Sequence, residues 1–370
     1  MKPEIFFMER AIELAQKGIY TTSPNPSVGC VIVEGAKIIS EGFHVKQGSE
    51  HAEIIALKNL KKKVNKKMVM YVTLEPCCHH GNTGPCTQSI INSGIKNIVI
   101  SMLDPNPKVH GKGVKELRSE GINIQIGLLK KESMLINRGF ISRIINKTPY
   151  IIAKQAISLD FKIAGLKNYS QISGAESRKD VHYMRARSCA ILVGSQTVVK
   201  DNPKLTTRLN KKDIGINEKI RNPIRVVLDT GLNLKTNKYD FFTGVDKKIV
   251  FNSLSSSFDR RKNIDFVKVK KDPSGLNIKS IMRILAETYE INNLLIEPGS
   301  KLLTSLLVKN ILDELVLYQC PIFIGEAGMS SCKIKANIIK NESINIDSVK
   351  IFANDVRISY KFKRKKCLPD

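Results

Sequence analysis

The chain has 370 residues, 42% apolar and 25% charged, enough for two globular domains that each bury a core. No apolar run approaches the ~20 residues that cross a bilayer, and Glu9, Arg10 and Glu13 interrupt any signal-peptide core, so no membrane association and a cytoplasmic location are expected. The formal net charge of +26 is spread along the chain, aromatic residues are only 6% and Trp is 0, which speaks against a base-stacking nucleic-acid surface and leaves a general attraction for phosphorylated small molecules.

Apolar spacing predicts a helix over residues 4–17 that Gly18 stops, then a hairpin of strands 28–33 and 37–43. A second helix is expected over 50–60 with Ser49 as its N-cap, followed by a strand over 68–74. Helix 86–93, strand 97–101, helix 114–120 and strand 122–126 complete an alternating α/β pattern, which implies a sheet covered on both faces. Residues 142–149 read as a polar join that ends in Thr-Pro. Beyond it, strands are expected at 150–156, 190–194, 224–229, 248–251, 294–297 and 315–319, with helices at 176–187, 278–287 and 300–308. The expected domains are 1–147 and 148–370.

Of the 8 cysteines, Cys77, Cys78 and Cys86 fall within ten positions. In a cytosolic protein such a cluster reads as metal ligands rather than as a disulfide framework, while Cys30 and Cys189 lie in apolar runs and read as core. His51-Ala52-Glu53 stands near a helix start, and Glu75-Pro76-Cys77-Cys78-His79-His80-Gly81-Asn82-Thr83-Gly84-Pro85-Cys86 runs from a strand end to a helix start. One imidazole and two thiolates suit Zn²⁺, and three protein ligands leave a fourth position for water. His51, Cys77 and Cys86 are therefore the expected ligands. Glu53 is too close to His51 to be a comfortable co-ligand, but it is well placed to carry protons for an acidified water. That division of labour belongs to zinc nucleobase deaminases. Their general signature has Pro-Cys-x-x-Cys, whereas eight residues separate Cys77 from Cys86 here. A closed structural site with Cys78, His79 or His80 as fourth ligand is the alternative, and it leaves Glu53 without a task. His79, His80 and Asn82 either face a polar substrate or pack the loop.

Thr22-Ser23-Pro24-Asn25-Pro26-Ser27-Val28-Gly29-Cys30-Val31-Ile32-Val33, His51-Ala52-Glu53 and the Glu75–Cys86 block together resemble the bifunctional riboflavin biosynthesis protein family. That family joins a diaminohydroxyphosphoribosylaminopyrimidine deaminase to a 5-amino-6-(5-phosphoribosylamino)uracil reductase, and the longer cysteine spacing is one of its features. Asp104-Pro105-Asn106-Pro107, Gly111-Lys112-Gly113 and Asn137-Arg138-Gly139-Phe140 also match. The resemblance continues through Lys154-Gln155-Ala156-Ile157-Ser158-Leu159-Asp160, Ile191–Val198, Asp201-Asn202-Pro203, Leu205-Thr206-Thr207-Arg208 and Glu297-Pro298-Gly299-Ser300.

The resemblance implies an α/β chain: a cytidine-deaminase-like three-layer domain, then a dihydrofolate-reductase-like domain that uses NADPH. It implies hydrolytic deamination of 2,5-diamino-6-ribosylamino-4(3H)-pyrimidinone 5′-phosphate, then reduction of the ribosyl chain to ribityl. Carried over position by position, it implies that Ala156, Ile172, Thr197, Asp201, Thr230 and Gly299 bind the cofactor. Substrate is expected at Asn25, His44, Lys154, Asp160, Ser170, Arg185, Leu205, Arg208 and Glu297. Bottom-up support in this half is a strand–Gly–helix turn at Glu297-Pro298-Gly299-Ser300, whose free N–H groups suit a phosphate, and two arginines able to grip one by bidentate bonds. The chain departs from the family at Phe161, where Gly is usual, at a missing Trp before Ile172, and at Pro298. These departures keep a deaminase with a degenerate reductase half as an alternative. A nucleic-acid deaminase and an inert zinc scaffold are the remaining readings. No specific nucleic-acid partner is expected, and a homo-oligomer stays open.

Overall fold

The computed structural model describes residues 3–79, 84–164, 172–216, 218, 220–334 and 344–363. Contacts divide the chain into two compact units, Met1–Asn146 with Lys211–Ile220, and Lys147–Asn210 with Arg221–Asp370. Lys211–Ile220 thus clusters with the first unit although it follows the join in sequence. No helix among the described residues is long and apolar enough to cross a membrane.

The first unit runs α1 (Pro3–Gly18), β1 (Gly29–Glu34), β2 (Lys37–Phe43), α2 (Ala52–Lys58), β3 (Met68–Val72), α3 (Cys86–Ser93), β4 (Asn97–Ile100), α4 (Lys112–Ser119), β5 (Asn123–Ile126), α5 (Lys130–Ile136) and α6 (Arg138–Asn146). Its sheet has the order β2-β1-β3-β4-β5. Strand β1 is antiparallel to β2 and β3, and β3, β4 and β5 are parallel. The two-residue period of a strand sends Cys30 and Ile32 to one face, against Ala52 and Ala56 of α2, Ile90 of α3 and Leu117 of α4. It sends Val31 and Val33 to the other, against Phe7, Met8 and Ala11 of α1 and Ile136 of α5. The result is three layers.

Two departures from expectation have local causes. Ser49 does not cap α2, because its hydroxyl is spent closing a turn on the Lys46 backbone, donating at 2.7 Å and accepting at 3.2 Å. His51 takes the cap position instead, its carbonyl accepting from Ile55 N at 3.1 Å. Residues 142–146 are not a linker but the last turns of α6, which buries Phe140, Ile141 and Ser142.

The second unit contains β6 (Tyr150–Ile157), β7 (Lys162–Ala164), α7 (Ala175–Arg187), β8 (Ala190–Gly194) and α8 (Ser195–Asp201). The short α9 (Lys211–Ile214) clusters with the first unit. Then come β9 (Ile224–Leu228), β10 (Lys248–Asn252), β11 (Ser257–Asp259), β12 (Ile264–Lys268), β13 (Lys271–Asp272), β14 (Gly275–Leu276), α10 (Ile278–Glu287), β15 (Asn293–Ile296), α11 (Ser300–Val308), β16 (Glu314–Gln319), β17 (Met329–Ser330), β18 (Ile344–Phe352) and β19 (Asp355–Phe362). A ten-stranded sheet has the order β11-β12-β10-β9-β8-β15-β6-β16-β19-β18. Pairing is parallel from β12 to β16, and β11, β19 and β18 are antiparallel additions at the two edges. Helices α10 and α11 cover one face through Ile281, Leu285, Leu303 and Leu306. Val181 of α7 and Val198 of α8 pack on the other.

Close approach of α2 to β2 is what brings the first unit's functional residues to the sheet. A Cβ on Gly42 would lie 2.4 Å from Ala52 O and 2.5 Å from Ala56 N. Gly42→Ala therefore has to push α2 outward. Its denaturant midpoint is expected to fall by the equivalent of about 1–3 kcal/mol, and zinc affinity should fall with it, since α2 carries His51 and Glu53. An unchanged midpoint would show that the helix yields without cost.

Candidate active sites

Three separate element ends meet in the first unit. His51 caps α2, Cys77 follows β3, and Cys86 opens α3. Their ligand atoms all lie within 4.8 Å of one another. His51 Nδ1 is 3.2 Å from Cys86 Sγ and 3.5 Å from Cys77 Sγ, and the Cys86 backbone N–H donates to Cys77 Sγ at 3.5 Å. Donors at roughly 2.0–2.3 Å from a tetrahedral ion stand about 3.5 Å apart, so the trio fits zinc in spacing as well as in chemistry. Among the described residues the cluster comprises these three. Cys78 stands outside it and His79 is exposed, while His80 and Asn82 lie outside the described residues. Within the cluster the Cys86 thiol hydrogen-bonds to Cys77, pulling Cys77 down to about 4 and pushing Cys86 up.

Glu53 lies one residue into α2 and is 3% exposed. Burial pushes its carboxyl up to about 7, against the opposing pull of His51. A carboxyl poised there can both take and return a proton near neutral pH. His44 is 2% exposed, and burial lowers its pKa, so the ring is neutral at neutral pH. Its Nδ1 lies 3.0 Å from Glu50 O, which places the proton on Nδ1 and leaves Nε2 to accept from Asn25 Nδ2 at 3.3 Å. The His44 ring meets His51 edge-on at 5.3 Å.

Glu75 was part of the sequence motif but had no assigned role. Its carboxylate accepts from the backbone N–H groups of Asp104 at 3.2 Å, Gly111 at 2.9 Å and Val114 at 3.1 Å, which ties the loop before α4 beneath the cysteine segment. Gly113 is required there, since a Cβ would lie 2.2 Å from Pro76 O. Asp104 is buried beside Glu75, and burial pushes it up to about 6.

In the second unit a cavity of about 430 Å³ opens where β8 and β15 end. Lys154, Ala156, Ile172, Arg185, Thr197, Asp201, Arg208, Glu297 and Gly299 line it. A cavity of about 500 Å³, lined by Thr230, Gly299 and Ser300, shares Thr197, Lys200 and Gly299 with the first. Most of the expected reductase residues thus come together. Asp160 and Leu205 do not line either cavity. The Asp160 carboxylate accepts from Ser158 Oγ, Ile324 N and Gly325 N, and Leu205 is a core residue at 2% exposure. Ser170 lies outside the described residues.

Glu297 is gripped by Arg185 through bonds of 3.0, 2.9 and 3.1 Å. Burial would raise its pKa, but Arg185 and Lys154 outweigh that and hold it below the ordinary carboxylate value. Lys154 beside it is lowered, chiefly by burial. Three further residues were not foreseen. Gln155 donates to Pro298 O at 2.9 Å and so fixes the turn after β15. His182 accepts from Arg208 N at 3.3 Å, and Lys200 joins both cavities. Gln155 stood in the Lys154–Asp160 stretch without a role of its own, while His182 and Lys200 lie on α7 and α8 outside any functional assignment. Of the departures, Phe161 holds φ 57°, the left-handed region that favours glycine. Its ring is 58% exposed and lines neither cavity.

Residues 1–102 match the cytidine and deoxycytidylate deaminase zinc-binding region, and residues 149–355 match the RibD C-terminal domain. The riboflavin biosynthesis protein RibD of Haemophilus influenzae is 37% identical over 363 residues, covering 96% of each chain. That of Escherichia coli is 36% identical, covering 89% of this chain and 90% of its own. The solved RibD of Acinetobacter baumannii superposes with a TM-score of 0.88 at 30% identity, covering 98% of this chain and 99% of that one. A deaminase/reductase structure from Thermotoga maritima gives 0.86 at 34% identity with the same coverage.

Burial, with Arg185 and Arg208 adding to it, holds His182 down to about 4, against 6.5 for an ordinary imidazole. The unfolded chain takes up that proton first, so this contribution to stability is present above about pH 6.5 and is lost as pH falls towards 4. His182→Gln is expected to flatten the stability profile across that window in thermal melts. A profile unchanged by the substitution would place the acid sensitivity elsewhere.

Proposed function

The chain belongs to the bifunctional RibD family of riboflavin biosynthesis, and we propose that the residues gathered in its two units perform the two reactions in succession on one phosphorylated ribosylaminopyrimidine in the cytoplasm. Zn²⁺ and NADPH are its cofactors. The observation that carries the deaminase assignment is Glu53, buried beside the His51–Cys77–Cys86 trio in a site that offers three protein donors among the described residues.

Zinc, when bound, acidifies water enough for attack at neutral pH. His51 Nδ1 and the Cys77 and Cys86 sulfurs would hold the ion, and Glu53 stands beside them. Glu53 takes one proton from the attacking water and gives it to the ring nitrogen, then carries the remaining hydroxyl proton to the departing amine, so ammonia leaves and a carbonyl remains. Asn25 and His44, locked in one tautomer and one orientation, contact the ring or the ribose.

In the second unit the groups present suit a dinucleotide. Ser300 begins α11 at the cavity wall, is 5% exposed, and its Oγ has no hydrogen-bond partner among the described residues. With the free N–H groups of that helix start it forms a seat for a phosphate. NADPH, when bound, supplies hydride for the ribose C1′. Lys154, made more acidic by burial, gives the proton that the ring oxygen needs as the ribose opens. Glu297 accepts from ribose hydroxyls. Arg185 is engaged with Glu297, and Arg208 is the arginine that grips the substrate phosphate in this reading. Asp160 supports the site at one remove, through the backbone at Ile324 and Gly325.

The test supplies the diaminopyrimidine ribotide with NADPH and follows ammonia and NADPH oxidation separately. Both are expected. No ammonia would overturn the deaminase reading, and ammonia with NADPH unconsumed would favour the degenerate-reductase alternative. Glu53→Gln should keep zinc and still reduce the deaminated ribotide, while ammonia release drops by roughly 10²–10⁴-fold. Surviving deamination would remove Glu53 from the mechanism.

A further inference from the structure

The Asn137-Arg138-Gly139-Phe140 stretch has no part in the chemistry above, yet it reaches the deaminase site. Asn137 sits between α5 and α6 and is 4% exposed. Its Oδ1 accepts from Ser27 N at 2.8 Å and its Nδ2 donates to Ser27 O at 2.9 Å. Both polar atoms of the amide are thus used on the backbone of a residue 110 positions away. From α6, Arg143 Nη2 donates to Pro24 O at 3.3 Å. Inside the turn, Asn25 N donates to Thr22 O at 2.9 Å and the Thr22 and Ser27 hydroxyls pair at 3.0 Å. The turn over 22–27 is therefore held from outside at Pro24 and at Ser27, and Asn25 lies between the two holds. From there Asn25 reaches His44, and His44 packs on His51.

A planar amide is the side chain that offers one donor and one acceptor at this size. A carboxylate would set an oxygen against Ser27 O. An apolar side chain would leave a buried N–H and C=O unpaired. The arrangement therefore fixes position and contributes nothing directly to bond making.

We propose that Asn137 is a positioning residue of the deaminase, holding the 22–27 turn so that Asn25 meets His44 and the pyrimidine in a single orientation. This rests on the reading of Asn25 as a substrate contact. The test compares Asn137→Asp and Asn137→Leu in the full chain, alone and combined with Asn25→Ala. Zinc content and reduction of the deaminated ribotide are expected to stay at the unsubstituted level. The kcat/KM for ammonia release is expected to fall by about ten- to a hundredfold, chiefly through KM. In the Asn25→Ala background the same substitution should cost less than about threefold, because it acts through a residue already removed. If Asn137→Leu does not fold, Asn137→Asp carries the comparison alone, since it keeps the volume and the acceptor. Unchanged deamination in Asn137→Asp, or a full multiplicative loss in the double variant, would overturn the proposal. An unsubstituted protein that released no ammonia would instead overturn the functional reading on which it rests.

Discussion

An imidazole nitrogen and two sulfurs, the nitrogen 3.2 and 3.5 Å from them and all three atoms within 4.8 Å of one another in a largely buried pocket, repel one another as ligands unless a cation or shared protons lie among them. The three come from residues 51, 77 and 86, on three different elements, so local preference cannot assemble them. The sheet does. The segment that follows β3 carries Cys77, the glycine contact between β2 and α2 sets the height of His51 and Glu53, and the Cys86 N–H points back at Cys77. Glu75 holds the next loop by three backbone bonds and closes the floor of the site. Removing any of these supports leaves the residues present but misplaces their atoms.

The second unit has an equivalent constraint of opposite chemical character. Glu297 stays ionised in a partly buried position because Arg185 takes it by two nitrogens and Lys154 stands nearby. A largely desolvated pair of this kind adds little net stability, whereas losing one partner leaves an uncompensated charge. Its value lies in placement: a carboxylate, an acidified ammonium and the start of α11 all face one cavity at the ends of parallel strands, where open α/β sheets usually bind ligands.

The zinc trio and Glu53 were legible in the sequence because the ligands sit in short segments at element boundaries, with a spacing that few other functions explain. The inner strands β6, β8, β9, β10, β15 and β16 were equally legible, being short, largely apolar runs that contribute to the cores on both faces of the sheet. Strands β18 and β19 were missed because an edge hairpin carries no such run, and Ile346 and Ile351 lie exposed on it. Helix α5 was not anticipated, and the last turns of α6 were expected to belong to a polar join, because the apolar residues these helices bury are few. Asn137 had no readable role, since its partner lies 110 residues away and is a backbone group. Of the residues the resemblance assigns to substrate, the Asp160 carboxylate is hydrogen-bonded to loop backbone and the Leu205 side chain lies in the core, placements that no motif spacing indicates.

The central claim is a zinc ion held by three protein donors with one position left for chemistry. X-ray absorption at the zinc edge of the purified full chain tests it most directly. The account predicts two sulfur scatterers at about 2.3 Å and two lighter ones at about 2.0–2.1 Å, only one of the lighter ones an imidazole. A third sulfur, or a second imidazole in place of the exchangeable light atom, would mean a closed structural site and would contradict it.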